Sequence, residues 1–303
     1  MLTHGYSQDT EPARVVVLGA RGFFASRLCR RLRSDGVNHR PVSREELDLT
    51  QPGAAAALAR IVTPEDVVVM MSGLTPDRGR DVNALMSNLR MAESVCAMLE
   101  LTRCRHFIYL SSEAVYGVRK QPLDEESSRQ PVNLYGLAHT AREMMLDSVL
   151  HERGIPLCIL RPANIYGPGD PHGNYGPNRF VRTALAEGRI VLFGRGEERR
   201  SHLHIDDTVE LVVRAMRRRS AGVLNLVYAP AVTFLKAARI VARHSPRKVE
   251  IQFVPRVLPI VHQTYSASAI FTAFPDFSFT PLERGIATYL QAMAAQPGDE
   301  PAA

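Results

Sequence analysis

Residues 14–25 constrain the fold more than any other stretch of this chain. Arg14-Val15-Val16-Val17-Leu18 is a short apolar run rich in β-branched residues, and it ends in glycine. Such a run, apolar toward both faces, reads as a strand buried inside a parallel sheet. Gly19-Ala20-Arg21-Gly22-Phe23-Phe24-Ala25 comes next and opens a helix that has Phe24, Leu28 and Leu32 on one face. A glycine turn between strand and helix can bring backbone N–H groups close to a pyrophosphate, helped by the partial positive charge of the helix N-terminus. Its position gives this turn more weight than a lone glycine pattern would carry.

Strand patterns recur at 39–43, 66–71, 106–110 and 155–161, and helical stretches at 53–61, 81–101 and 134–152 separate them. This alternation predicts an α/β fold, a doubly wound parallel sheet of the Rossmann type. Glycine and proline cluster between Tyr166 and Pro177, as expected of a long loop. Beyond it, short strands mix with helices such as 206–219. We therefore expect residues 14–166, with returning segments, to form the dinucleotide-binding domain. Residues 167–295 are expected to form mainly a smaller C-terminal substrate-binding lobe. Residues 1–13 read as a loose leader and 296–303 as a disordered tail.

Composition narrows the class. The 303 residues are 45% hydrophobic and 22% charged, ordinary for a globular protein. No apolar run approaches the ~20 residues that span a bilayer, and the polar N-terminus lacks a signal-peptide core. The expectation is a cytoplasmic protein with no membrane partner. Cys29, Cys96, Cys104 and Cys158 are scattered, with no CxxC pair, and read as small buried hydrophobes. The net charge of +6 suits an anionic ligand. Its clusters, Arg30-Arg31-Leu32-Arg33 and 214–219, close predicted helices, where cations suit the helix dipole, so no nucleic-acid partner is expected.

The chemistry concentrates in two motifs. Phe107-Ile108-Tyr109-Leu110-Ser111-Ser112 reads as a strand ending in two hydroxyls at the carboxyl edge of the sheet, where ligands bind. Tyr135-Gly136-Leu137-Ala138-His139 puts a phenol and an imidazole four residues apart, on one helix face. The second strand ends in Pro41-Val42-Ser43-Arg44, without the acid that takes ribose hydroxyls in NAD binders. Arg21 and Arg44, two guanidinium groups without a carboxylate, would suit the 2′-phosphate of NADP. Asp48 could accept from the adenine amino group.

With these motifs in order, the chain resembles the extended short-chain dehydrogenase/reductase family, specifically its NAD(P)-dependent sugar-nucleotide epimerases, dehydratases and reductases. The resemblance covers about 280 residues. It also draws on Asn88 in Met86-Ser87-Asn88-Leu89, the run 160–168 around Asn164-Ile165-Tyr166-Gly167-Pro168, Arg200-Ser201-His202-Leu203-His204-Ile205-Asp206-Asp207, and Phe279-Thr280-Pro281-Leu282-Glu283-Arg284-Gly285. Ala25 stands where the family's GxxGxxG ends. The resemblance implies Tyr135 as general acid/base and Ser112 as the hydroxyl that bonds the same substrate oxygen. Asn164 and Arg200 would hold a substrate diphosphate, with Glu113 beside them, and Asn88 would support the active-site hydrogen bonds. Gly19, Arg21, Gly22, Phe23, Phe24, Arg44, Asp48, Ser72, Asn88, Tyr135 and His139 make up the expected cofactor site, NADP(H) favoured and NAD(H) possible.

His139 departs from the family, which has lysine there. That lysine supplies a cation beside the tyrosine, whose unperturbed pKa is ~10, and holds the nicotinamide ribose. An imidazole is largely neutral at pH 7 unless an acid partners it. Three readings follow: histidine as a weaker substitute in an active reductase, loss of redox chemistry with binding kept, or use of another cation such as Arg142. The family's dehydratases carry an Asp-Glu pair where this chain has Glu113-Ala114, and its 3,5-epimerising reductases a cysteine at Ala114. That leaves ketoreduction with NADPH, favoured here for a nucleotide-linked keto sugar, or C4-epimerisation. A non-catalytic cofactor-binding module is the alternative of another class. His202, His204, Asp206 and Asp207 match no metal spacing, so no metal is expected. No GxSxG elbow points to a hydrolase. Relatives pair the helices equivalent to 81–101 and 134–152, so a homodimer is expected.

Overall fold

A computed structural model describes residues 2–117, 122–171, 173, 176–229 and 231–295. In chain order its elements are β1 Thr3–His4, β2 Arg14–Leu18, α1 Phe23–Ser34, β3 His39–Val42, α2 Ala54–Ala59, β4 Asp66–Met70, α3 Val82–Leu101 and β5 His106–Leu110. A 3-10 turn, Glu113–Val115, precedes α4 Leu134–Glu152, β6 Leu157–Pro162, β7 Ile165–Tyr166, α5 Gly176–Glu187, β8 Arg189–Phe193, β9 Arg199–Arg200 and β10 Leu203–His204. The chain continues through α6 Ile205–Arg217, β11 Ser220–Leu226, β12 Val232–Thr233, α7 Phe234–His244, β13 Glu250–Val254, α8 Ser268–Ala273 and α9 Leu282–Ala294.

One seven-stranded sheet runs in the order β1-β11-β6-β5-β4-β2-β3. Every pairing from β11 to β3 is parallel. The apolar run of β2 is explained by its two covered faces. Val15 and Val17 pack with Leu28 and Leu32 of α1 and Val212 of α6, whereas Val16 and Leu18 join Val68, Met98 and Leu146 on the opposite side. Burying each such side chain contributes about 1.5–3 kcal/mol, which is why β2 carries no polar residue after Arg14. The chain leaves β2 for β3 on one side and returns to β4 on the other. The crevice of this doubly wound sheet therefore opens above the carboxyl ends of β2 and β4, at Gly19 and Ser72.

Two helix caps set the elements around that crevice. Asp81 accepts from the Ala84 N–H at 2.9 Å and starts α3, and Asn133 accepts from the Gly136 N–H at 2.9 Å and starts α4. A third apolar cluster joins Val181 of α5, Ile190 and Leu192 of β8, Val241 of α7, and Ile286 and Tyr289 of α9.

The leader is not loose where it is described. Thr3 and His4 pair antiparallel with Ala221 and Ser220 of β11. His4 bridges the Ser220 hydroxyl at 2.8 Å and the Ala273 carbonyl at 2.9 Å. The segment completes an otherwise open edge of β11, and a two-residue polar strand leaves no periodicity to read. The tail expected at 296–303 lies outside the described residues. Both basic clusters meet carboxylates: Arg31 meets Asp35 and Glu210, Arg214 meets Glu210 and Asp276, and Arg217 meets Glu11 and Asp35. Among the described residues, no helix is long and apolar enough to cross a membrane.

Candidate active site

The glycine turn is built for close approach. Gly19 has φ +83°, and a Cβ there would lie 2.8 Å from the backbone of Ser72. Only glycine lets the end of β2 sit against the end of β4. Gly22 begins α1 with no side-chain cap and no acid in the first turn, which leaves the N-terminus of this twelve-residue helix electropositive. Ala25, at the family's third glycine, is fully buried against the sheet, so its methyl is absorbed by the core. Phe23 and Phe24 are half-buried beside the turn. The Ser72 hydroxyl is buried and finds no partner among the described residues. An uncapped helix N-terminus, a cradle that excludes a Cβ and an orphaned hydroxyl together fit a dinucleotide diphosphate and its adjoining ribose.

The expected pair of guanidinium groups without a carboxylate is corrected. Arg21 meets Glu45 at 2.8 Å because the loop after β3 folds back toward the glycine turn, and Arg44 meets Asp48, four residues on in the same loop, at 3.1 Å. Asp48 also accepts from the Thr50 N–H at 3.0 Å and its hydroxyl at 2.7 Å. Burial raises the Asp48 carboxyl, but the bonds from Thr50 and Arg44 outweigh it and hold the group below its ordinary range. Asp48 thus closes the loop, and both arginine pairs are exposed, so each contributes little to stability.

The reacting residues come from β5, the 3-10 turn and α4. Ser112, 8% exposed, accepts from the Ala114 N–H at 3.2 Å, so its own proton is free to be donated. Gly136 lets α4 touch this turn: a Cβ there would lie 2.1 Å from the Ala114 carbonyl oxygen. Tyr135, half-buried, and His139 stand on the same face of α4, with ring centroids 4.6 Å apart and planes at 79°. His139 is buried, and its Nδ1 lies 2.7 Å from the Tyr109 hydroxyl. Burial first, then the nearby Arg142 charge, pushes His139 well below the usual imidazole range, so it is neutral. Arg142 is fully buried, donating to the Ser72 carbonyl at 2.6 Å and to Asn88 Oδ1 at 3.3 Å, with its guanidinium 5.0 Å from the Tyr109 ring centre. Asn88 fixes the loop after β4 through the Leu74 N–H at 2.9 Å and carbonyl at 3.1 Å.

Beneath this layer runs a buried ionic network. Glu143 accepts from Ser111 at 2.6 Å, from Arg161 at 2.9 and 2.7 Å, and from Arg129 at 3.1 Å. Arg161 also donates to the Tyr116 hydroxyl at 2.7 Å, which in turn donates to Asn225 at 2.8 Å. Ser111, one of the two predicted hydroxyls, is therefore committed to Glu143, and the network ties α4 to the ends of β5 and β6.

On the substrate side, Glu113 accepts from Tyr265 at 2.7 Å and Gln263 at 2.8 Å. Burial raises its carboxyl, opposed by Tyr265, then by Arg200, then by Gln263. Arg200, half-buried, donates to the Val261 and Arg199 carbonyls and lies over Phe234, 5.8 Å from the ring centre. Asn164 takes the left-handed conformation, φ 41°, and its Nδ2 is buried without a partner among the described residues. His202, 3% exposed, has neither ring nitrogen bonded. The register of β7 with β10 sets Leu203 against Ile165, so Asn164 and His202 flank the same pairing. Of the predicted trio, Glu113 and Arg200 are electrostatic neighbours, while Asn164 sits at the β7–β10 pairing with an orphaned amide and a left-handed backbone of the kind found at ligand contacts.

Sequence reasoning missed Tyr109, Glu143, Arg161, Gln263 and Tyr265. A signal existed for the network: His139, Arg142, Glu143, Leu146 and Leu150 share the buried stripe of α4, and charge on such a stripe announces a buried polar cluster. Gln263 and Tyr265 lie in an irregular segment with no pattern to read.

The family model described as "NAD dependent epimerase/dehydratase family" matches residues 15–228. An ADP-L-glycero-D-manno-heptose-6-epimerase of Alkalilimnicola ehrlichii is 29% identical over 210 residues, 64% of this chain and 65% of that protein, so less than two thirds of its length is spanned. The UDP-glucose 4-epimerase of Thermotoga maritima, solved with UDP-glucose, has a TM-score of 0.82 at 20% identity, covering 93% of this chain and 98% of that one. A GDP-L-fucose synthetase of Naegleria fowleri bound to NADP gives 0.82 at 17% identity, covering 95% and 96%. These structures share the fold.

Proposed function

The chain belongs to the NAD dependent epimerase/dehydratase family, and from that premise we propose that it is an NADPH-dependent ketoreductase acting on a nucleotide-linked keto sugar. One observation carries this reading: the group beside Tyr135 is a buried, neutral imidazole rather than a cation. A neutral imidazole brings no charge that would stabilise a phenolate, and a phenol of ordinary pKa, ~10, is poor as a base near neutral pH but ready as an acid. An epimerase begins by oxidising a hydroxyl and needs the base. A reductase finishes by protonating an oxygen and needs the acid.

When bound, the nicotinamide supplies the hydride. The protein's part is to manage the charge that grows on the substrate oxygen. Ser112, whose oxygen accepts from the Ala114 N–H, would donate its hydroxyl proton to that oxygen. Tyr135 then gives its proton to the same oxygen. Gly136 keeps these two hydroxyl groups on abutting elements. Asn164 and Arg200 hold the diphosphate, and Glu113, kept in place by Tyr265 and Gln263, accepts from a sugar hydroxyl. Residues 167–295 supply most of the substrate side.

NADPH is preferred over NADH on the strength of Arg21 and Arg44. Their exposed pairings with Glu45 and Asp48 are weak enough for a 2′-phosphate to replace them. A homodimer is supported by α3 and α4, which leave Val82, Met86, Leu137 and Met144 exposed. The four unpaired cysteines suit a cytoplasmic site of action.

The test is to denature the purified protein, identify any released dinucleotide by mass spectrometry, and titrate the emptied protein with NADPH and NADH. Exchangeable binding that prefers NADPH supports the reductase. Tightly held NAD would replace it with a C4-epimerase, and failure to bind either with a non-catalytic module.

A further inference from the structure

Two features behind Tyr135 are left over by this mechanism. The first is a buried charge without a counter-charge. Arg142 is 1% exposed, and among the described residues no carboxylate lies within ion-pair distance of it. Its two bonded donors reach only a backbone carbonyl, Ser72, and an amide oxygen, Asn88, while its Nε has no partner. A buried guanidinium satisfied by neutral acceptors alone is costly unless something anionic comes near. The chain has placed it directly behind Ser72, whose backbone lies against Gly19 of the phosphate turn and whose own hydroxyl is orphaned.

The second feature is a fixed imidazole. The Tyr109 hydroxyl, fully buried on β5, meets His139 Nδ1 at 2.7 Å. The Ser111 hydroxyl proton nearby is spent on Glu143. The Ser111 oxygen also bonds this phenol, but an imidazole nitrogen is the stronger acceptor, and a phenol that donates to Nδ1 leaves the ring hydrogen on Nε2. Burial keeps both groups uncharged.

Resting on the cofactor-binding reading above, we propose that two side chains of α4 divide the hold on the dinucleotide: His139, with its tautomer set by Tyr109, offers a neutral Nε2–H to a ribose hydroxyl, and Arg142, one turn along α4, supplies the positive charge that holds the diphosphate from behind Ser72. Tyr109 is a positioning residue. The division would keep cofactor affinity in a chain that carries histidine at position 139. Arg142 is in contact with Tyr109 and the loop after β4, which puts its charge on the side of the phosphate turn.

The experiment reads binding and tautomer, so it stands even if no keto sugar is turned over. In nitrogen-15-labelled full-length protein, His139 is assigned by the signal lost in His139→Gln. The expected pattern is a bare Nδ1 and a protonated Nε2, with and without NADPH, and a mixture of tautomers in Tyr109→Phe. A wild-type Nδ1–H tautomer overturns the role of His139. NADPH affinity is then measured by nicotinamide fluorescence. Arg142→Gln should bind at least about tenfold more weakly and Arg142→Lys within about threefold of wild type. Unchanged affinity in Arg142→Gln overturns the role of Arg142. Should Arg142→Gln not fold, Arg142→Lys decides, because it keeps the charge while giving up the two-pronged hold on Ser72 and Asn88. Retained affinity supports the proposal, and affinity lost in a folded Arg142→Lys overturns it. Binding of neither NADPH nor NADH by wild type removes the cofactor-binding reading itself, and with it this proposal.

Discussion

Glu143→Leu tests whether the buried ion pair beneath the site has the energetic role its geometry implies. The Glu143 carboxylate is 1% exposed and accepts from Ser111, Arg129 and, through two nitrogens, Arg161. Arg161 is 3% exposed and pairs with no other carboxylate among the described residues, keeping only the Tyr116 hydroxyl and ring. Removing the acid leaves a guanidinium buried without a counter-charge, a change that costs about 3–5 kcal/mol. In a chain of this size each kcal/mol moves the melting temperature by roughly 2 °C, so melting should fall by roughly 6–10 °C. Removing both charges in Glu143→Leu with Arg161→Met should recover most of that loss, because two apolar side chains of similar volume need no counter-charge. The assay is thermal unfolding followed by circular dichroism, with urea unfolding of the same variants. A single variant within about 1 kcal/mol of wild type, or a double variant no more stable than the single, would refute the reasoning.

Other outcomes follow from the same geometry. Gly136→Ala puts a methyl 2.1 Å from the Ala114 carbonyl oxygen. It should push α4 off the turn that carries Ser112, costing about 1–3 kcal/mol and slowing turnover on the order of a hundredfold, as read by unfolding and steady-state rates. His139→Lys brings a cation to Tyr135 and should favour its phenolate, shifting the pH–rate profile to lower pH; an unmoved profile speaks against a neutral imidazole at this position. Burial holds His106 at about 4 and His202 at about 3, so between the ordinary value near 6.5 and those values the unfolded chain binds protons that the folded chain does not. Stability is then present in full above pH ~6.5 and is lost as pH falls toward 4, by several kcal/mol, and urea midpoints across that range check it.

Much of this architecture was readable from side-chain pattern. β2 and β5 have the bounds that their apolar runs indicate, and α4 runs over Leu134–Glu152 as its periodicity requires. These elements are legible because burial of one stripe or both faces imprints a period on the sequence. The Tyr135 and His139 pairing was legible for the same reason, since four residues return a helix to one face. What the pattern could not give is partner choice across the chain. Nothing local says that Glu45 folds back on Arg21, that Tyr109 turns its hydroxyl to His139, or that Gln263 and Tyr265 hold Glu113 across more than a hundred residues. The two-residue strand β1 was hidden because its hydrogen bonds, not its side chains, attach it.

The proposed reduction requires Tyr135, beside a neutral His139, to act as an acid. The most direct measurement is the loss of NADPH absorbance when the purified protein meets a nucleotide-linked keto sugar, run in parallel with Tyr135→Phe. Wild type should oxidise NADPH stoichiometrically, and Tyr135→Phe should be slower by a factor on the order of a hundred or more, with NADPH still bound. Wild-type NADPH consumption equal to that of Tyr135→Phe, or interconversion of sugar epimers with no net NADPH consumed, would contradict it.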